Sequence, residues 1–188
     1  MKTLCCLAFG LLAASPAFAQ APPAQAPQKI SLAVGLQRSY ENIKRNLTEM
    51  AAKMPDADYG YQPTKEVRTY GQLFGHVANS QFNTCSALKG EANPNQGNDN
   101  EKKATKAEFV KALNDSFAYC DAAFSALTDA NATELIKQGQ NEVARASAAA
   151  NLIAHSNEMY GTGAVYMRLK GMVPPSTERQ QQMRRPGQ

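Results

Sequence analysis

Histidine occurs at only two positions of this 188-residue sequence, His76 and His155, and these imidazoles are its clearest candidates for chemistry. His155 lies in a run of residues spaced at alternating four- and three-residue steps, which is typical of a helix face that packs into a bundle. The run comprises Ala148, Leu152, His155, Met159, Thr162, Tyr166 and Leu169. A histidine on such a face is either a hydrogen-bonded core residue or a functional group, so its neighbours decide its role.

Other catalytic constellations are missing from the sequence. Ser156 follows His155 directly, so the two side chains point to different faces of the predicted helix. Gly161, Gly163 and Gly171 are too widely spaced for a phosphate-binding loop and fall within or at the end of that helix. The sequence therefore offers no glycine-rich phosphate loop, and Ser156 is not placed for activation by His155.

Residues 1–19 have the composition of a cleavable signal peptide. Lys2 supplies the positive end, residues 4–14 form a short apolar core, and Ala17-Phe-Ala19 reads as a cleavage site. The apolar run is too short to span a bilayer comfortably. We therefore expect a periplasmic or secreted protein with no stable membrane insertion once the leader is removed.

Leader removal also takes Cys5 and Cys6, which leaves Cys85 and Cys120. Two cysteines in an exported protein are a candidate disulfide. The alternative is that both are small core residues within their helical stripes. A bridge would close a loop of about 35 residues and contribute about 3–4 kcal/mol in the entropic description of disulfides.

The rest of the chain divides into a linker, one domain and a tail. Residues 20–30 are rich in Ala, Pro and Gln, which predicts a flexible linker, and residues 176–188 predict a disordered basic tail. Residues 31–175 suffice for one domain with a single core. Much of the positive charge, +4 in total, lies in the tail, and no basic stripe is present. We therefore expect no nucleic-acid binding.

Hydrophobic periodicity predicts four helices and no strand, hence an all-α four-helix bundle. The segments T-Y-G-Q at Thr69 and T-K-A-E at Thr105 have the form of capping boxes and open helices two and three. The predicted bounds are 31–54 for helix one, 69 to about 90 for helix two, a start at 105 for helix three, and a fourth helix that begins between 133 and 141 and ends at Gly171.

The cysteines indicate how these helices run. Cys85 lies sixteen residues after Thr69, and Cys120 lies fifteen residues after Thr105. If the two helices are parallel and start level, the cysteines differ by about 1.5 Å along the helix axis. In an antiparallel hairpin the mismatch would be about 15 Å, beyond disulfide reach. The Asn- and Gly-rich segment 91–104 is long enough to return along the bundle. We therefore predict an up-down-down-up arrangement.

Two stretches, residues 155–176 and residues 61–78, resemble the DinB-like superfamily, which includes damage-inducible bundles, metal-dependent thiol-transferase relatives and many members of unknown role. His155-Ser-Asn-Glu-Met-Tyr-Gly161, Tyr166-Met-Arg-Leu-Lys-Gly171 and Pro174-Pro-Ser176 resemble its last helix. The segment from Tyr61-Gln-Pro63 to His76-Val-Ala78 resembles its second helix. The resemblance covers most of the chain after residue 31 and implies a bundle with the helix order given above.

The resemblance also implies a metal site with three histidine ligands. One comes from the second helix and two come from the fourth, four residues apart, so that both imidazoles lie on one face. Carried onto this chain, the positions fall on His76, His155 and Met159. No other histidine is present to replace the third ligand.

Three interpretations of the methionine at the third ligand position remain open. The first, which the residues favour, is that no metal is bound, because a thioether is a poor ligand for zinc or nickel and a good packing group. The second keeps a divalent ion, Zn²⁺ or Ni²⁺, on His76 and His155 with Glu158 as a substitute ligand. The third is a His-His-Met site for Cu(I).

Two functions follow from these interpretations. We favour a non-catalytic exported bundle that binds an unidentified small molecule or protein between its helices. The alternative, which only the resemblance implies, is a metal-dependent thiol S-transferase-like enzyme that uses His76 and His155. Homodimers are common in the family, and nothing in this sequence decides that point.

Overall fold

The computed structural model describes residues 27–185; the predicted signal peptide, most of the predicted linker and the last three residues lie outside this range. Two three-residue 3₁₀ turns, Asp56–Asp58 and Asn100–Lys102, interrupt the connections. The main elements are α1 (Leu32–Lys53), α2 (Tyr70–Lys89), α3 (Lys106–Ser125), β1 (Leu135–Gln138), β2 (Asn141–Ala144), α4 (Arg145–Leu169) and α5 (Pro175–Arg184).

Helices α1 to α4 form a bundle around one hydrophobic core, which confirms the predicted fold class. Apolar residues of α1, α2 and α3 face this core, and Tyr40, Phe74 and Phe117 are almost fully buried. Within residues 27–185, no helix combines the length and the apolarity that a membrane crossing requires.

Contacts between helix ends give the direction of each helix. Gly71 near the start of α2 packs on Phe109 near the start of α3, so these two helices are parallel. The Gln37 amide near the start of α1 donates to the carbonyl of Phe124 near the end of α3, so α1 opposes α3. Met50 near the end of α1 packs on Gly163 in the second half of α4, so α4 runs with α1. The order is up-down-down-up, as predicted.

Cys85 and Cys120 form a disulfide between α2 and α3, with their Cα atoms 5.3 Å apart. Both cysteines are fully buried. Their alignment follows from the starts of the two helices, because capping boxes are present at Thr69 and Thr105. Each cap satisfies free N–H groups in the first turn and so fixes where the helix begins.

The prediction that the chain contains no strand was wrong. Strands β1 and β2 pair as an antiparallel hairpin in which Ile136 lies opposite Val143. Gly139 has a φ of 63°, a left-handed conformation that suits a two-residue hairpin loop. The hairpin occupies residues assigned to the fourth helix, so α4 begins only at Arg145. Four-residue strands are too short to show a clear period-two pattern.

The expectation of a disordered tail over 176–188 is corrected for residues 176–184, which belong to α5. Pro175 occupies the first turn, where its fixed φ suits a helix start. Polar contacts hold α5 to the bundle: Glu178 pairs with Lys53, and Arg179 contacts Glu49 and Asn46 of α1. The segment lacks an apolar stripe, which is why its sequence resembles a solvated tail.

Candidate functional site

The two histidines meet between α2 and α4. His76 Nε2 lies 3.0 Å from His155 Nε2, and the ring centroids are 4.9 Å apart. Both side chains are partly buried. The fold thus brings together two histidines that lie on different helices and 79 residues apart in the sequence.

Two further residues extend this pair into a chain. Glu101 Oε1 lies 2.7 Å from His76 Nδ1, and Arg68 Nε donates to Glu101 Oε2 over 2.8 Å. We call Arg68, Glu101, His76 and His155 the polar chain. An ionised carboxylate only accepts hydrogen bonds. Nδ1 of His76 therefore carries the proton and donates the hydrogen bond that Glu101 accepts. The Nε2 atom of His76 is thereby directed at His155.

A close approach of the 3₁₀ turn Asn100–Lys102 to α2 positions Glu101. A Cβ atom at Gly75 would lie 2.4 Å from the carbonyl oxygen of Asn100, so only glycine admits the turn at this distance. The Asn79 side chain accepts hydrogen bonds from the backbone N–H and the side-chain amide of Asn100, each at 3.0 Å. Asp99 accepts from the Glu101 N–H at the same distance.

The sequence interpretation missed Arg68 and Glu101. It placed a substitute carboxylate at Glu158, which is exposed on α4. Glu101 instead comes from the segment 91–104, which has no periodic pattern from which a contact with α2 would be predicted. The local signal in that segment is Asp99, a residue type that caps turns and short helices. A cap marks where the turn begins, but it does not show that the turn folds inward onto α2.

An open cleft of about 450 Å³ lies beside the polar chain. Met159, one helical turn after His155, contributes to its wall and is only 8% exposed. Other surface hollows of similar size lie elsewhere and include no residue of the polar chain among their lining residues. The cleft is lined by Glu66, Val67, Arg68, Leu73, Glu101, Met159, Thr162 and Tyr166.

The surroundings keep Glu101 ionised and His155 neutral. Burial raises the pKa of Glu101, but hydrogen bonds from Arg68 and His76 outweigh it and hold that pKa below its usual value. Burial lowers the pKa of His155, His76 lowers it further, and nearby Glu158 opposes both. Within the described residues, Nδ1 of His155 is buried and has no hydrogen-bond partner. The site therefore contains a buried polar atom that the fold does not satisfy.

The residues fit only part of a metal centre. Two Nε2 atoms 3.0 Å apart are close to the spacing of about 3.3 Å expected for two imidazoles on one tetrahedral ion. Glu101 on the far nitrogen of His76 is the usual outer partner of a ligating histidine. However, no group of three His, Cys, Asp or Glu side chains in residues 27–185 is arranged to hold an ion. A three-ligand zinc or nickel centre does not fit these residues.

The fold and the site together define a helical bundle with a half-buried pair of histidines beside an open cleft. The sequence matches the family model of the DinB superfamily over residues 39–162. The chain belongs to the DinB superfamily. This confirms the family that the motifs around His76 and His155 indicated.

Solved structures show the same fold at low sequence identity. A DinB-like protein from Bacillus cereus ATCC 10987 is 17% identical, with a TM-score of 0.63 over 75% of this chain and 94% of that one. A conserved protein from Enterococcus faecalis is 16% identical, with a TM-score of 0.59 over 71% and 94% of the two chains. No curated protein matches this sequence.

Proposed function

We propose that this protein is an exported, non-catalytic member of the DinB superfamily that binds a small amphipathic molecule in the cleft. The observation that carries the proposal is the composition of the cleft wall, in which the charged end of the polar chain faces apolar and aromatic side chains. Such a wall suits a ligand with both a polar and an apolar part. The leader-like residues 1–19 and the Cys85–Cys120 disulfide support export.

A non-catalytic role is supported by the contacts of the potential nucleophiles in the bundle. Cys85 and Cys120 are joined to each other, so neither offers a thiolate. Ser156 is buried and accepts a hydrogen bond from the Gln81 side chain over 3.3 Å, away from the cleft. With a thioether at Met159, the donors also differ from those of a three-histidine centre.

The second candidate is a metal-dependent thiol S-transferase-like enzyme that uses His76 and His155. The arrangement of Glu101 behind His76 favours it, because this contact leaves Nε2 free to bind an ion. In such an enzyme the metal would lower the pKa of a bound thiol. If His76→Ala and His155→Ala leave metal content and any transferase activity unchanged, this candidate is excluded.

A matched pair of threonine variants tests the cleft. Thr162 lines the cleft, and its hydroxyl donates to a backbone carbonyl four residues earlier in α4. Thr48 makes the same contact in α1 and is also half-buried, but does not line the cleft. The probe is 8-anilino-1-naphthalenesulfonate, an amphipathic fluorescent anion, titrated into metal-free protein.

We expect Thr162→Phe to fill part of the cleft and weaken probe binding about tenfold. Thr48→Phe should bind the probe like the wild type. Equal affinities in all three proteins would contradict the proposal, as would a wild-type protein that binds no probe while folded. Thermal unfolding of each variant checks that the bundle is intact.

A further inference from the structure

We propose that His76, His155 and Met159 bind one Cu(I) ion at the boundary between the polar chain and the cleft. This inference goes beyond the proposed binding of an amphipathic molecule and does not depend on it. It starts from the mismatch described above, in which the site has two good nitrogen donors and no third donor of the kind that zinc or nickel requires.

The nitrogen donors are already held in position. His76 Nε2 and His155 Nε2 come from two different helices and point at each other across 3.0 Å. Glu101 and, behind it, Arg68 fix the orientation of the His76 ring. His155 can direct its Nε2 lone pair at an ion by moving its proton to Nδ1. Since that atom has no hydrogen-bond partner within the described residues, the move breaks no other contact.

Met159 supplies a sulfur atom in the right place along the chain. It follows His155 by four residues on α4, so the two side chains lie on one face of the helix. Its side chain is almost buried and reaches the cleft wall that Glu101 and Arg68 share. A thioether is a soft ligand that selects Cu(I) over the harder divalent ions.

The charge of the site also suits a monovalent ion. The three proposed ligands are neutral, and the carboxylate of Glu101 is paired with Arg68. Such a site compensates little of the free energy that a divalent ion loses when it leaves water. A monovalent ion loses less of this free energy and therefore needs less compensation. The cysteines of the described residues are joined in a disulfide, which leaves thioethers as the soft donors.

The experiment is an anaerobic titration of protein without a histidine tag, with reduced copper shared between the protein and a colorimetric Cu(I) chelator. Met159→Leu removes the sulfur and preserves the volume. Met167→Leu is the matched control, because Met167 is a buried methionine two turns further along the same helix. X-ray absorption at the copper edge reports whether sulfur is bound.

We expect one Cu(I) per wild-type chain, with nitrogen and sulfur neighbours. Met159→Leu should weaken Cu(I) binding roughly tenfold or more and remove the sulfur signal, while Met167→Leu changes neither. His76→Ala and His155→Ala should abolish binding. Failure of the folded wild type to bind Cu(I), or equal affinity in Met159→Leu, would overturn the inference. Because the cleft is tested with a probe in metal-free protein, either proposal can fail without the other.

Discussion

The two sides of helix α2 differ in burial and in the chemistry of their side chains. Toward α3 it forms a closed seam, in which Cys85 and Cys120 are completely buried and their disulfide joins the helices. Toward α4 and the 3₁₀ turn Asn100–Lys102 it forms the polar chain, in which the side chains of His76 and Glu101 remain about one quarter exposed, at 26% and 24%.

The difference separates residues that stabilise the bundle from residues that are available to a ligand. The closed seam buries apolar surface, and the disulfide between Cys85 and Cys120 crosses it. The open side keeps ionisable groups near water and leaves a buried nitrogen of His155 without a partner in the described residues. Such features cost stability and are typical of functional sites. The predictions below test whether the two sides are separable in this way.

Loss of the disulfide should have the largest effect, and only on stability. The bridge joins residues 35 apart, so replacing both cysteines by alanine should lower the free energy of unfolding by about 3–4 kcal/mol. Urea unfolding measures this loss. A reducing agent should destabilise the wild type and leave the double variant unchanged. A loss below about 1 kcal/mol would show that the seam does not depend on the bridge.

Met159→His should convert the open side into a three-histidine site. We expect affinity for Zn²⁺ to rise about a hundredfold, equivalent to about 2.7 kcal/mol. Glu158→His is the matched control, because it adds a histidine next to this position but on the exposed face of α4. Calorimetric titration with zinc measures both variants. Equal affinities in the two variants would show that position 159 does not converge with His76 and His155.

Gly75→Ala should push the 3₁₀ turn away from α2, because the new methyl group would lie 2.4 Å from the Asn100 carbonyl oxygen. We expect a loss of about 1–3 kcal/mol in the free energy of unfolding. Gly161→Ala is the control, since a Cβ there meets nothing within 4 Å. That exposed helical substitution should stabilise the protein by about 0.5–1 kcal/mol. A similar gain at Gly75 would contradict the tight approach.

The smallest effect should be the contribution of His155 to pH dependence. Its folded pKa is lowered, chiefly by burial, so the unfolded chain binds the proton first as the pH falls. The contribution of a neutral His155 to the free energy of unfolding is therefore complete above the unfolded pKa of about 6.5. It declines as the pH falls from there toward the folded pKa. His155→Gln should lose less stability than the wild type between about pH 7.5 and pH 5, measured by urea midpoints. If the urea midpoints of the two proteins had the same slope against pH, His155 would be as accessible to water in the folded protein as in the unfolded chain.

The sequence revealed the closed seam more fully than the open side. Helical stripes and two capping boxes are local patterns, and together they placed Cys85 level with Cys120. Glu101 was out of reach because its contact with His76 depends on how a non-periodic segment folds back onto Gly75. The hairpin and α5 were missed because short strands and a helix attached by polar contacts carry weak periodic signals.

The orientation of the His76 ring tests the central claim most directly. Proton–nitrogen correlation spectra of metal-free, tag-free protein resolve the ring nitrogens, and the chain has only two histidines to assign. We expect His76 to carry its proton on Nδ1, with Nε2 accepting from His155, and Glu101→Gln to shift the His76 signals selectively. A His76 ring protonated only on Nε2, or two freely averaging rings insensitive to Glu101→Gln, would contradict the account.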